Sequence, residues 1–147
     1  MSADTRLVCL RIALVVVGLI AIFAVYPLFQ LWPSGWSWGH GHSHYPMMIV
    51  GIYATLGVFL LLAARNPLEH RSLIWFTVWS SIVHGGIMAA QAITDDAERG
   101  HLVGDVPALF LIALVLGGLM PRRAALLNPR TAAPHNSPTA RSTPPSS

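Results

Sequence analysis

The chain has little charge, no lysine and a single cysteine, and several common motifs are missing from it. Only 10% of its 147 residues are charged, against roughly 25% in an average soluble domain, and lysine is absent. All nine basic side chains are arginine, with no basic patch interleaved with aromatic residues, so no nucleic-acid interface is predicted. The one cysteine, Cys9, excludes a disulfide within the chain. No nucleophile elbow, phosphate-binding glycine loop or buried acid pair stands out, which favours a non-enzymatic protein.

Apolar residues are abundant. They make up 54% of the chain, and the mean hydropathy is +0.57. Four apolar runs, separated by polar connectors, are long enough to cross a bilayer as α-helices. We therefore predict an all-α integral membrane bundle of four transmembrane helices, with spans at residues 7–26, 47–64, 72–93 and 103–120. A signal peptide is the alternative for the first run, but no clear cleavage site follows it.

The arginines predict the orientation of the bundle. With four spans, eight of the nine lie at the end that carries both termini: Arg6, Arg11, Arg65, Arg71, Arg122, Arg123, Arg130 and Arg141. By the positive-inside rule, we expect both termini to be cytoplasmic. Residues 121–147 hold six of the eleven prolines and few large apolar groups, which predicts a disordered tail. The expected partners are the lipid bilayer and either a second copy of the chain or a membrane protein.

The third span has a polar stripe. At ~100° per residue, its polar side chains and one methionine share one sector: Thr77, Ser80, Ser81, His84, Met88 and Gln91. Trp75 and Trp79 lie opposite. Because polar groups that face hydrocarbon lose their water without replacement, we expect the stripe to face the other helices.

His84 lies near the middle of this span. Its expected partners are Ser80 and Ser81 on the preceding turn and Tyr53 at a similar depth on the second span. Two interpretations stay open: a hydrogen-bonded crosslink between helices, or a group for proton transfer or ligand contact. Haem ligation is not expected, because no other histidine lies within a span.

The connectors away from the termini hold the other candidate site. His40, His42 and His44 alternate along one segment, and His101 lies in the second connector. Together they could bind a divalent metal such as zinc or copper, whereas the alternative is a flexible loop that binds nothing. No other cofactor is expected. Asp105 is predicted to cap the fourth helix, and Gly51 with Thr55 is predicted to permit a close helix approach.

Four segments carry a resemblance to a known family. They are MIVGIYATLGVFLLLA from Met48, NPLEHRSLIWF from Asn66, SSIVHGGIMAAQA from Ser80 and HLVGDVPALF from His101. In their order and spacing they resemble a family of small bacterial four-helix integral membrane proteins of unknown function. The resemblance covers residues 48–120 and implies a four-span protein of the inner (cytoplasmic) membrane, with His70, His84, His101 and Asp105 in the family's pattern. It implies no activity, and His40, His42 and His44 lie outside that pattern.

Overall fold

The computed structural model describes residues 3–36 and 45–121, and within these ranges it contains helices and no strand. The elements are α1 (Ala3–Leu19), a π-helical turn (Ile20–Ala24), α2 (Val25–Leu31), α3 (Pro33–Trp36), α4 (Tyr45–Arg65), α5 (Arg71–Thr94), a 3₁₀ helix (Asp96–Leu102) and α6 (Asp105–Leu119). Four helical stretches are long and apolar enough to cross a membrane: Ala3–Leu31, Met47–Arg65, Arg71–Thr94 and Asp96–Leu119. The predicted all-α class with four spans is confirmed.

The first helical stretch is longer than predicted. The connector was expected to begin at Pro27, but α2 carries the helix to Leu31. A proline inside a helix lacks an amide donor, and its ring clashes with the carbonyl group four residues earlier. Here that carbonyl belongs to Phe23, which lies in the π-helical turn Ile20–Ala24. The wider turn changes the hydrogen-bond register just before Pro27, so the proline does not end the helix.

The four stretches follow one another in space in the order α4, α1, α6, α5. The main packing pairs are α5 with α6 and α1 with α4, and α1 also contacts α6. By contrast, α4 and α5 contact each other little and leave an open seam along the bundle. We call the end with α3 and the 3₁₀ helix the connector end, and the end where α1 begins and α6 finishes the termini end. Many large apolar side chains lie on the outside, as expected of a bundle surrounded by lipid.

The half of the bundle towards the termini end is packed with apolar side chains. Its core consists of Leu10, Leu14, Leu60, Ala63, Ala64, Ile74, Val78, Ala113, Leu116 and Met120. Two arginines close this end. Arg6 Nη2 donates to the Gly118 carbonyl over 2.6 Å, and Arg71 Nη2 donates to the Pro121 carbonyl over 2.9 Å. Carbonyl groups at the end of a helix have no partner within it, so these bonds tie α1 and α5 to the end of α6.

Two glycines allow α1 and α4 to cross closely. A Cβ atom on Gly57 would lie 2.6 Å from the Gly18 carbonyl oxygen and 2.7 Å from a side-chain carbon of Ile22. The expected close approach at Gly51 and Thr55 is wrong. A Cβ on Gly51 would meet nothing within 4 Å, and the Thr55 hydroxyl donates to the Gly51 carbonyl of its own helix. The pair faces the open seam, since α4 turns the Gly57 side to α1.

Replacing Gly57 with alanine should therefore destabilise the bundle. The added methyl group overlaps backbone, which cannot rotate away, so the expected loss is about 1–3 kcal/mol. The measurement is the free energy of unfolding in mild detergent. Gly51→Ala is the matched control on the same helix, and it should stay within about 0.5 kcal/mol of wild type. Equal effects of the two substitutions would contradict the crossing.

Candidate functional site

A cavity of about 210 Å³ lies among the four helical stretches. Most of the side chains that line it are apolar. Five are polar: Tyr53 on α4, Thr77, Ser81 and His84 on α5, and Asp105 on α6. Because α4 runs from the connector end and α6 starts there, Asp105 lies near the connector end of the cavity. Val17, Leu60 and Ile112 line its deeper part, towards the termini-end core.

Asp105 belongs to an array of three ionisable side chains. Its Oδ2 atom lies 3.0 Å from Nδ1 of His101, and the other ring nitrogen, Nε2, lies 3.1 Å from Oε2 of Glu98. His101 is 1% exposed and Asp105 is 6% exposed. The Glu98 side chain is 15% exposed, so it is the member that reaches the surface. The imidazole therefore bridges a carboxylate at the surface and a carboxylate at the cavity.

Local backbone structure produces this array. Glu98 and His101 are three residues apart within the 3₁₀ helix, whose three-residue turn places them on one side. A turn at Val103 and Gly104 then brings Asp105, at the start of α6, to the other ring nitrogen of His101. Asp95 starts the 3₁₀ helix: its carboxylate accepts from the Ala97 amide over 2.9 Å. The helix then packs against α3, where a Cβ on Gly100 would overlap the Ser34 carbonyl group. This packing covers His101 from the connector end.

Asp105 does not have the expected capping role. The cap position of α6 is Gly104, which makes no side-chain capping bond, and Asp105 is the first helical residue. Its side chain contacts His101 instead. A carboxylate in the first helical turn still interacts favourably with the helix dipole, which supports a charged group at this depth.

His84 and Tyr53 meet across the seam between α4 and α5. Tyr53 Oη lies 3.3 Å from His84 Nδ1, and the ring centroids are 6.4 Å apart. His84 is exposed and also lines the cavity, so the cavity reaches the bundle surface at this seam. The expected contact between His84 and Ser80 is not made, because the Ser80 hydroxyl donates to the Thr77 carbonyl.

The predicted polar stripe is split between two environments. Thr77, Ser81 and Met88 are buried on the face that packs on α6, together with Gly85, whose Cβ would lie 3.3 Å from Leu109. His84 and Gln91, however, are exposed. The face that α5 turns to α6 follows Ile74, Val78 and Gly85, so the stripe lies partly at the seam. Trp75 and Trp79 are exposed, on the lipid side as expected.

Metal binding by the connector histidines was one of two open interpretations, and the described residues do not decide between them. His40, His42 and His44 lie outside the described ranges, so that prediction stays open for them. His101 is held between two carboxylates. Within residues 3–36 and 45–121, no group of three or more histidine, cysteine or acidic side chains is arranged to hold a metal ion. Of the predicted disordered tail, residues 121–147, all but Pro121 also lie outside the described part. Self-association stays a prediction.

The array Glu98–His101–Asp105 was missed by reasoning from sequence. The polar segment around it reads as a solvated connector, and Glu98 drew no attention there. The signal was present in the spacing of three and four residues, which brings side chains together only if the connector is helical.

The contact between Tyr53 and His84 should contribute a measurable coupling energy. In a double-mutant cycle of Tyr53→Phe and His84→Leu, we expect a coupling of about 0.6 kcal/mol in the free energy of unfolding, the average for hydrogen bonds between membrane helices. Tyr26 is exposed at a distant position on α2, so the cycle of Tyr26→Phe with His84→Leu is the control and should show no coupling. If both cycles give the same value, the contact does not join the helices.

Comparison with known proteins adds the family and nothing on activity. No curated protein and no solved structure matches the chain. A family model, described as a family of unknown function (DUF6632), matches residues 4–137. The match extends beyond the predicted residues 48–120 and includes the first helical stretch. Nearly the whole chain is covered, from α1 past the end of α6, and the protein therefore belongs to the DUF6632 family of unknown function.

Proposed function

We propose that the protein is a multi-pass membrane protein that relays protons between the aqueous face at its connector end and the cavity inside its bundle. The observation that carries the proposal is the position of His101, with one ring nitrogen at Glu98 and the other at Asp105. Imidazole is suited to this task, since it exchanges protons near neutral pH and has two distinct nitrogen atoms.

One proton transfer can be written for this geometry. A protonated Glu98 gives its proton to Nε2 of a His101 ring that carries its proton on Nδ1. The Nδ1 proton then passes to the Asp105 carboxylate, so one proton has moved inwards and the ring has changed tautomer. A ring flip then returns an N–H group to the side of Asp105, and Glu98 regains a proton from water, while Asp105 keeps the proton it received; the reverse transfer returns that proton to Glu98. Asp105 Oδ2 is already at hydrogen-bonding distance from Nδ1, whereas Glu98 Oε2 lies 3.1 Å from Nε2 without hydrogen-bond alignment, so the first transfer requires the Glu98 side chain to rotate.

The termini-end half of the bundle favours a relay over a channel. Between the cavity and the termini end, the helices are packed with apolar side chains, which cannot accept a proton. Protons that reach Asp105 can therefore leave back through His101 to the connector end, or with a molecule bound in the cavity. His84 and Tyr53 line the same cavity and are the next groups that can exchange a proton with Asp105 through a bound molecule.

The orientation in the cell is part of the proposal. The eight arginines at the termini end favour a cytoplasmic position for both termini in a bacterial inner membrane. In that orientation Glu98 faces the outside of the cell. Metal handling through His40, His42 and His44 is the second candidate, and it rests on sequence alone.

The relay is tested by titrating Asp105 from one side of a membrane. Full-length protein is placed in sealed liposomes, and an antibody against a C-terminal tag identifies the side of the termini. An infrared carboxyl band that is absent from Asp105→Asn reports the protonation of Asp105. We expect this band to change when the pH is changed on the side opposite the tag, while the pH on the tagged side is held constant.

The rate of that response identifies the role of His101. His101→Gln keeps a hydrogen-bonding side chain between the carboxylates but cannot exchange a proton at neutral pH. We expect it to slow the response of the Asp105 band by about 100-fold. His70→Gln, on an exposed residue at the termini end, is the matched control and should respond like wild type. A response from the tagged side, or an unchanged rate in His101→Gln, would contradict the relay.

A further inference from the structure

We infer that the cavity is a binding site for an uncharged, lipid-soluble molecule with a single ring and a hydroxyl or carbonyl group. The inference names a ligand class for the cavity at which the proposed relay ends. It rests on the proposed function only for the exchange of protons with that ligand, and not for binding.

The size of the cavity sets the size of the ligand. An engineered protein cavity of about 150 Å³ lined by apolar side chains binds benzene. The cavity here measures about 210 Å³, which leaves space for one ring with a small substituent. It is too small for a fused ring system or a large cofactor, since cofactor and drug-sized ligands occupy roughly 300–1,000 Å³.

The lining sets the polarity of the ligand. The deep part is formed by Val17, Leu60 and Ile112, which favour an apolar ring. Asp105 lies near the connector end of the cavity, and Tyr53 and His84 lie near mid-depth. A few polar groups at one side of an apolar pocket are typical of sites that orient a ligand through its head group. An anionic ligand is disfavoured, because among the described residues the cavity lining contains no basic side chain other than His84 to offset the loss of its hydration, and it does contain the carboxyl group of Asp105.

The seam between α4 and α5 sets the route of entry. His84 is exposed at the seam and also lines the cavity, and Tyr53 lies beside it. The seam opens on the side of the bundle, where Ile52 and Phe59 are exposed. A ligand therefore enters sideways from the lipid, which selects molecules that dissolve in the bilayer.

The test uses two fluorinated probes of similar size with full-length protein in lipid nanodiscs. One is 4-fluorophenol, which has the hydroxyl group, and the other is 4-fluorotoluene, which lacks it. Fluorine NMR distinguishes bound probe from probe in protein-free nanodiscs. We expect saturable binding of 4-fluorophenol and about tenfold weaker binding of 4-fluorotoluene, as the loss of one hydrogen bond implies.

Three substitutions test whether the probes bind in the cavity. Ala108→Phe fills the cavity from α6 and should abolish binding, whereas Leu114→Phe, on an exposed position of the same helix, should bind like wild type. Tyr53→Phe keeps the ring volume, so it is expected to fold. It should weaken the binding of 4-fluorophenol and leave the binding of 4-fluorotoluene unchanged.

Several outcomes would overturn the inference. The first is that neither probe binds saturably to the wild-type protein, which is the result if a lipid chain fills the cavity. Equal affinity for the two probes, or equal binding in Ala108→Phe and Leu114→Phe, would overturn it too. Binding is measured at constant pH and therefore separately from the relay. Saturable binding of 4-fluorophenol, without a response of the Asp105 band to the pH on the side opposite the tag, would support this inference and contradict the relay. A response of the Asp105 band from that side without saturable binding would support the relay and contradict this inference.

Discussion

Asp105 carries a carboxyl group inside a bundle whose length and composition fit a membrane, and such a group is stable only when other polar groups contact it. The structure meets this requirement with one buried imidazole. His101 contacts Asp105 on one side and Glu98 on the other, which connects the buried acid to a side chain at the surface. The 3₁₀ helix, its cap at Asp95 and its packing on α3 all hold that imidazole in place.

The order of the helices determines where the remaining polar groups lie. Because α1 packs on both α4 and α6, the contact between α4 and α5 is left weak, and a seam opens between them. The close crossing at Gly18 and Gly57 draws α4 towards α1 and away from α5. Tyr53 and His84 meet at this seam. The same arrangement thus creates the cavity and its opening on the side of the bundle. The apolar core at the termini end closes the deeper part of the cavity.

The four spans could be predicted from sequence, since long apolar runs bounded by arginine and proline have few other interpretations. The exposed positions of Trp75 and Trp79 followed from helical periodicity. The extension of the first helix past Pro27 could not be predicted, because it depends on a π-helical turn that leaves no clear mark in the residues. The close helix crossing was assigned to Gly51 although it lies at Gly57, since several glycines fit the pattern and only the partner helix decides between them.

The site was predicted in part. His84 and Tyr53 were named together because their estimated depths agreed, and they are neighbours in the structure. The inward position of the whole stripe was wrong, because it assumed that α5 is surrounded by helices on its polar side. Glu98 was overlooked and Asp105 was interpreted as a cap. Both errors have one cause: a polar connector was taken as solvated, although it folds into a short helix that buries His101.

The central claim is that His101 bridges two carboxylates within the folded protein. Solid-state NMR on isotope-labelled protein in lipid bilayers measures this most directly, through dipolar correlations from each ring nitrogen of His101 to carboxyl carbons. We expect a correlation from Nδ1 to the carboxyl carbon of Asp105 and one from Nε2 to that of Glu98. Correlations of the ring nitrogens with water alone, and with neither carboxyl carbon, would contradict it.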